Sequence, residues 1–487
     1  MKTSITKSDW LAAEQCPAMA WRILRTDATP PGEAELFRMQ QGQEIGALAR
    51  SLYPDGVFVL RTDDKTAAGV TQDLISDAAI YTLFEATFAV GPFIAKADIL
   101  KREGAHWHVI EVKSSFSDTS RINELIDDLA YTVMVLKLAG LQVAKSSLAL
   151  LSRAYRSGDG PEVLFDFVEQ TDSVNARAAE FQSGSDSISL ALFGNTSPTP
   201  ALVSCCRSCQ FFDDDCLGAG IAHTVLELPG LHHTKLKQLS IAGIIDLSQL
   251  PKDLKLNDRQ QRAKLGATSG KILVDPGLGK ALDSVAWPCH YLDFETVATV
   301  LPLYAGHGCH QQVLTQFSLH LRDNLAIPVS HSEYLADATK DCERELAEAL
   351  IDKLGQHGSI MVYSSFEQTR LTALRNAFAD LADALNSIIA RLVDLHPLVA
   401  DYVYHPDFRG SFSIKKVLPA LVPDLSYAEL DVADGDTAIT RFARMARGEV
   451  PPAEIGVTRQ QLLDYCKLDT LAMVRLHEAL LELAASG

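Results

Sequence analysis

The segment FIAKADILKREGAHWHVIEVKSS, residues 93–115, decides the fold of the first half of the chain. Two apolar, strand-like runs, 93–101 and 107–114, stand on either side of Gly104, and this pattern predicts a β-hairpin. If Gly104 and Ala105 form a two-residue loop, the register places Asp98 directly opposite Glu111.

Three charged side chains of this hairpin, Asp98, Glu111 and Lys113, then converge on one patch. Lys113 shares a strand face with Glu111, because side chains alternate along a strand. Carboxylate oxygens are ligands for Mg²⁺ or Mn²⁺, and the lysine could orient a water or stabilise negative charge on a phosphate. A salt bridge on a solvated strand face would give the same spacing, so the metal interpretation depends on the neighbouring sequence.

That neighbouring sequence has a helix predicted over 121–140 after the motif and another acid, Glu85, before it. The whole segment resembles the PD-(D/E)XK core of RecB-like nucleases. The resemblance implies a restriction-endonuclease-like domain over 1–220 in which Asp98 and Glu111 bind metal, Glu85 is an additional acid, and Lys113 serves the attacking water. One departure is that the helix usually offers a glutamine where this chain has Thr132.

Four of the nine cysteines cluster between 205 and 216. Thiolates suit iron–sulfur clusters or zinc. The order of the cysteines, one before the nuclease core and three after it, is similar to that of RecB-like nucleases of the CRISPR-adaptation and AddB types. The resemblance implies a [4Fe-4S] cluster, with zinc as the alternative and Cys205 as a replacement for Cys206. Its expected ligands are Cys16, Cys206, Cys209 and Cys216. The remaining cysteines are expected to be core residues, namely Cys289, Cys309, Cys342 and Cys466.

The second half alternates strands, at 290–294 and 359–363, with helices, the last over about 459–484. This pattern predicts a second α/β domain over 286–487. Asp293 and Glu295 lie two apart on a strand and so share a face, while Tyr465 and Asp469 share a face of a helix. Together with Glu367, which follows the second strand, such carboxylates could hold two metal ions.

The DxE and Yx3D motifs resemble those of DEDDy 3′–5′ exonucleases of the RNase H-like fold. The resemblance implies that Asp293, Glu295 and Asp469 are metal ligands and that Tyr465 positions the attacking water. The middle motif usually has an aspartate; Glu367 stands in its place here, with Asp394 as the competing choice. Lys415 or Lys416 could meet a phosphate.

The segment 223–284 has nine Lys or Arg against six Asp or Glu, in a chain whose net charge is −18. It resembles helix-hairpin-helix DNA-binding units, although a helical linker with solvated lysines explains the composition equally well. A basic region within an acidic chain is compatible with nucleic-acid binding. No signal peptide and no membrane-spanning run are visible, so the cytoplasm is the expected location.

The whole arrangement resembles an uncharacterised bacterial family that joins a RecB-like nuclease to an exonuclease. We therefore expect an enzyme that hydrolyses phosphodiester bonds, with Mg²⁺ or Mn²⁺ at both sites and nucleic acid, DNA rather than RNA, as partner. A nucleic-acid-binding protein with one or both sites degenerate is the alternative that Thr132 and Glu367 favour. A redox protein using Cys206 and Cys209 would leave the carboxylates unexplained.

Overall fold

The computed structural model describes residues 2–27, 29–60, 63–426, 430–432 and 434–486. The chain divides into two compact units, of which the first comprises 1–219 with 299–311 and the second comprises 220–298 with 312–487. Both units combine helices with mixed sheets, so the predicted α/β class is confirmed. No helix in the described ranges has the length and apolar character needed to cross a membrane.

The first unit is built around a six-stranded sheet whose strands lie in chain order. Its strands are β1 (Val57–Phe58), β2 (Thr82–Val90), β3 (Phe93–Glu103), β4 (His106–Phe116), β5 (Val143–Leu151) and β6 (Phe165–Glu169). Its helices are α1 (Lys7–Gln15), α2 (Pro17–Ile23), α3 (Glu33–Ser51), α4 (Asp64–Ser76), α5 (Ile122–Leu138), α6 (Pro161–Leu164), α7 (Thr171–Phe193) and α8 (Phe212–Asp215). Strands β2, β3 and β4 are antiparallel, whereas β4 and β5 are parallel.

Helices α1, α5 and α7 cover one face of this sheet. Trp10, Leu129, Tyr131 and Phe181 are buried there in one hydrophobic cluster, and each such side chain contributes roughly 1.5–3 kcal/mol when it leaves water. The Tyr131 hydroxyl also donates to the carbonyl of Ile5 at 2.6 Å. The N-terminal segment is therefore part of the core of the first unit.

The second unit contains a five-stranded sheet of order β10-β9-β8-β11-β12, in which β8 pairs antiparallel with β9 and parallel with β11. The strands of this unit are β7 (Leu273–Val274), β8 (Cys289–Val297), β9 (Val313–Arg322), β10 (Ser330–Leu335), β11 (Ser359–Val362), β12 (Leu392–Asp394) and β13 (Val403–Tyr404). Its helices are α9 (His233–Ile241), α10 (Asp258–Ser269), α11 (Leu278–Leu282), α12 (Glu343–Leu354), α13 (Phe366–Ala377), α14 (Ala382–Ile389), α15 (Leu395–Tyr402), α16 (Ile414–Leu421), α17 (Gly435–Ala446) and α18 (Ile455–Ser486).

Side chains alternate between the two faces of β8, and this alternation determines on which face the candidate carboxylates lie. Leu292 and Phe294 lie in the cluster formed with α12, α13 and α14. Tyr291, on the opposite face, lies in the cluster that contains residues of α18. Asp293 and Glu295 have the parity of Tyr291, so both carboxylates project on the α18 side.

The segment 223–284, for which the sequence predicts a basic helical module or a helical linker, lies within the second unit. Strand β7 pairs with β13. Arg262 donates to the carbonyls of Ala400 and Asp401, and Arg259 forms a 2.7 Å ion pair with Asp401. These contacts join α10 to the end of α15, so Arg259 and Arg262 have structural roles in the second unit.

Candidate functional sites

The first candidate site lies on the β3–β4 hairpin, whose register is the one predicted. Glu103 pairs with His106 around the two-residue loop, and Gly104 has a positive φ of 64° that suits such a turn. Ile99 pairs with Ile110, which brings Asp98 to the level of Glu111. Asp98 Oδ2 accepts a hydrogen bond from Val112 N at 2.8 Å.

Two lysines neutralise Glu111. Lys113 Nζ lies 3.0 Å from Glu111 Oε1, and Lys7 Nζ lies 2.5 Å from the same atom. Both ammonium groups also contact Asp128 of α5. Sequence reasoning missed Lys7 and Asp128, because neither belongs to the hairpin motif.

Burial and the charges of this cluster shift the pKa values of its two carboxyl groups, Asp98 and Glu111, in opposite directions. Burial and the neighbouring Glu111 raise the pKa of Asp98 to about 7. Burial would also raise the pKa of Glu111, but Lys7 and Lys113 outweigh it and hold that pKa at about 2. Glu111 is therefore ionised at neutral pH, and a bound cation would compete with Lys7 and Lys113 for it.

The buried Glu111 Oε2 has no hydrogen-bond partner among the described residues. An acceptor buried in this way costs free energy unless a ligand satisfies it. It borders a cavity of about 600 Å³ that Asp98, Lys113 and Glu85 also line. Glu85 has a φ of 55° and lies 3.7 Å from Arg50 Nη1. The donor set fits a hard divalent cation such as Mg²⁺ or Mn²⁺.

Five cysteines line a second, small cavity in the first unit. They are Cys16, Cys205, Cys206, Cys209 and Cys216. Cys16 caps the N-terminus of α2, where its Sγ accepts from Met19 N at 3.4 Å. Arg22 of the same helix donates to the carbonyl of Asp215 at 2.8 Å. The structure thus brings both ends of the first unit to the cavity.

The thiols of this cavity affect one another. Burial raises the pKa of the Cys206 thiol, and Cys16, Cys209 and Cys216 raise it further. Burial and the neighbouring thiols also raise the pKa of Cys205 to about 11. Cys206 is buried, whereas Cys205 is half-buried.

Four thiolates could hold either a single zinc ion or an iron–sulfur cluster. A single tetrahedral zinc with bonds of about 2.3 Å would bring its sulfurs within about 3.8 Å of one another. In the part of the chain that the structure describes, no three cysteine sulfurs come within 4.8 Å of one another.

The second candidate site lies between β8 and α18. Ligand atoms of Asp293, Glu295 and Cys466 lie within 4.8 Å of one another. The Cys466 thiol donates to Asp293 Oδ2 at 3.5 Å. The sequence led us to expect Cys466 in the core; it is buried, but it lies among the carboxylates.

Glu367 enters this cluster from the first turn of α13. Its carboxylate influences both Asp293 and Glu295, and its buried Oε2 lacks a partner among the described residues. Asp394 instead caps α15, where its Oδ1 accepts from His396 N at 2.8 Å and from Ser364 N at 2.9 Å. Asp394 therefore caps a helix, whereas Glu367 faces the cluster, and Asp394 also raises the pKa of Glu367.

Burial and the neighbouring acids raise the pKa values of the carboxyl groups in this cluster. Burial raises the pKa of Glu367 to about 8. Burial and then Asp469 raise the pKa of Glu295, also to about 8, although Lys415 opposes them. Burial and then Asp469 raise the pKa of Tyr465 as well. Asp469, Tyr465 and Lys415 therefore all lie near the carboxylates, and a divalent cation would relieve their repulsion.

Two comparisons with known proteins each match a part of this chain. Residues 290–413 match the model of a family described as a domain of unknown function, DUF2779. This stretch includes Asp293, Glu295 and Glu367 and ends before Tyr465 and Asp469. An uncharacterised protein of Mycoplasma pneumoniae, named as an MG366 homolog, is 27% identical over 208 residues. The match covers 38% of this chain and 31% of the relative, so the chain spans under a third of that protein's length.

Proposed function

We propose that this chain is a metal-dependent nuclease that hydrolyses phosphodiester bonds of nucleic acid, DNA rather than RNA, at two sites. The observation that carries the proposal is shared by both sites. A buried glutamate oxygen, Glu111 Oε2 or Glu367 Oε2, has no hydrogen-bond partner within the described ranges and faces a group of carboxylates with a lysine nearby. Carboxylate clusters of this kind bind the divalent cations that phosphoryl transfer requires.

The proposal combines a restriction-endonuclease-like PD-(D/E)XK unit with an RNase H-like unit. The order α3, β1, α4, β2, β3, β4, α5 and β5 supports the former, and the strand order of the five-stranded sheet supports the latter. At the first site Asp98 and Glu111 would hold Mg²⁺ or Mn²⁺. At the second, Asp293, Glu295, Glu367 and Asp469 would do so.

Other side chains at the two sites would have separate roles in hydrolysis. A bound cation would supply a more acidic water and would neutralise charge on the phosphate oxygens. Lys113, held between Glu111 and Asp128, can orient the attacking water or stabilise the oxyanion. Tyr465 can position a water through its hydroxyl at the second site, while Lys415 offers a positive charge to the substrate phosphate.

We further propose that Cys16, Cys206, Cys209 and Cys216 bind a [4Fe-4S] cluster. Their common cavity supports a shared ligand, and the order of the cysteines, which resembles that of RecB-like nucleases, favours the cluster over zinc. Such a cluster would join the first and last helical segments of the first unit.

End-labelled single- and double-stranded substrates test the nuclease proposal in the full chain. We expect Glu111→Gln to remove one Mn²⁺-dependent activity and Asp293→Asn the other, whereas Asp64→Asn, on an exposed ion pair, changes neither. If the unmodified protein binds the substrates but cuts none of them with Mg²⁺ or Mn²⁺, the chain is a binding protein with degenerate sites. If Asp293→Asn abolishes both activities while the fold is intact, the sites are not independent.

A further inference from the structure

One wall of the first-site cavity carries none of the carboxylates. Its residues lie on one face of α3 and at the end of β1, namely Met39, Gly42, Gly46, Arg50 and Phe58. Gly42 and Gly46 have no side chain to fill the cavity, although glycine within a helix is destabilising relative to alanine. A Cβ on Gly46 would come within 3.1 Å of Arg50 Nη1. The glycines thus keep space for the guanidinium and for a ligand.

Phe58 is the aromatic surface of this wall. It pairs with Phe84 across β1 and β2, next to Glu85, and 40% of its surface is exposed. The Arg50 guanidinium lies 5.4 Å from the centre of its ring, and Arg50 Nη1 lies 3.7 Å from Glu85 Oε1. An exposed phenylalanine beside an oriented arginine combines a stacking surface with a positive charge.

Aromatic rings and arginine together are how proteins bind unpaired nucleotides, because every base has a face that can stack while its phosphate meets the cation. A cavity of about 600 Å³ lies within the range of roughly 300–1,000 Å³ that holds a small ligand. Base pairs inside a duplex keep their faces covered, so a base must leave the stack to enter such a cavity.

We propose that Phe58 and Arg50 form a subsite that receives an unpaired nucleotide next to the bond cut at the first site, so that this site acts on single-stranded nucleic acid. The base stacks on Phe58 and its phosphate faces Arg50. This inference rests on the nuclease function proposed for the same cavity.

The test uses the full chain with Asp293→Asn, so that cleavage reports the first site. Cleavage of a single-stranded oligonucleotide and of a blunt hairpin of the same sequence is followed with Mn²⁺. We expect the single strand to be cut at least tenfold faster. Phe58→Ala should raise KM for the single strand by about 5- to 100-fold with a smaller change in kcat, and Phe58→Trp should restore it.

Phe167→Ala is the matched control, because Phe167 is a 45% exposed phenylalanine on β6, at the other edge of the same sheet. Equal rates on both substrates, or equal KM values for Phe58→Ala and Phe167→Ala, would overturn the subsite. If the Asp293→Asn protein shows no cleavage that depends on Glu111, the proposed nuclease function of the first site is rejected instead.

Discussion

Lys7 Nζ lies 2.5 Å from Glu111 Oε1, although the two residues are 104 positions apart in the chain. Lys7 is the first residue of α1, and Thr6 caps this helix through reciprocal hydrogen bonds with Asp9. The same helix ends next to Cys16. Helix α1 therefore begins at the first carboxylate site and ends beside the cysteine cavity.

We predict that Lys7→Met lowers the free energy of unfolding of the metal-free protein by about 1–3 kcal/mol, because a hydrogen bond to a buried charge is lost. Glu111 keeps Lys113 as a partner, so folding should survive. The same variant should bind Mn²⁺ more tightly at the first site, since a competing cation is gone. Thermal unfolding with and without Mn²⁺, in the Asp293→Asn background, measures both effects.

Lys96→Met provides the control for this prediction. Lys96 forms a 3.2 Å ion pair with Asp64 in which both side chains are 40% exposed, and such surface pairs contribute about 1 kcal/mol at most. Equal destabilisation by the two substitutions, with no gain in Mn²⁺ affinity for Lys7→Met, would show that Lys7 is an ordinary surface residue.

The hairpin shows what could be predicted from the sequence. Its register follows from local rules, because a two-residue loop leaves one pairing, and the pairs around Gly104 and Ala105 are as expected. Lys7 and Cys466 could not be assigned in this way. Their contacts with Glu111 and Asp293 depend on how helices pack against distant strands, and no periodicity within a single segment records that.

The assignment of residues 299–311 to the first unit also could not be predicted from the sequence. Residues 299–311 lie between β8 and β9, yet they belong to the first unit. There Val300 N donates to Gln41 Oε1 at 2.7 Å, and His310 Nε2 lies 2.6 Å from the carbonyl oxygen of Ser114. Such contacts join residues far apart in the chain, so a linear division into 1–220, 223–284 and 286–487 could not anticipate them.

The second site should bind metal more tightly as the pH rises. Glu295 and Glu367 have pKa values of about 8 in the metal-free protein, so below that pH a cation must displace protons from them. We predict that Mn²⁺ affinity in a Glu111→Gln background increases from pH 6 to pH 8 and then levels off. Isothermal titration at several pH values measures this, and a flat profile would contradict it.

The raised pKa values of Glu295 and Glu367 also predict how the stability of the metal-free protein depends on pH. Stability should fall as the pH rises, whereas metal affinity should increase. The ordinary pKa of a glutamate is 4.5, so the unfolded chain binds fewer protons than the folded one between about pH 4.5 and pH 8. These two groups therefore make the metal-free protein less stable as the pH rises through that window. Asp469→Asn should weaken this dependence, because after burial Asp469 is the main cause that raises the pKa of Glu295.

Two residues on one face of α18 should differ in their importance. Asp469→Ala removes a carboxylate of the cluster, so we predict at least about a hundredfold loss of nucleotide release from labelled ends. Tyr465→Phe removes only a hydroxyl and should cost about tenfold. Asp464→Asn, which alters an exposed acid of the same helix, should have no effect. A larger loss for Tyr465→Phe than for Asp469→Ala would contradict the proposed roles.

The cysteine cavity should contain iron when the protein is purified without oxygen. Cys16→Ser and Cys206→Ser should each lose the iron and the brown colour, whereas Cys205→Ser and the remote Cys342→Ser should keep both. Because a bound cluster stabilises the folded state that forms its site, the first two variants should also unfold at a lower temperature. Metal analysis with absorption spectra and thermal unfolding separates these outcomes, and stoichiometric zinc without iron would overturn the cluster. If Cys205→Ser loses the iron and Cys206→Ser keeps it, the fourth ligand is Cys205.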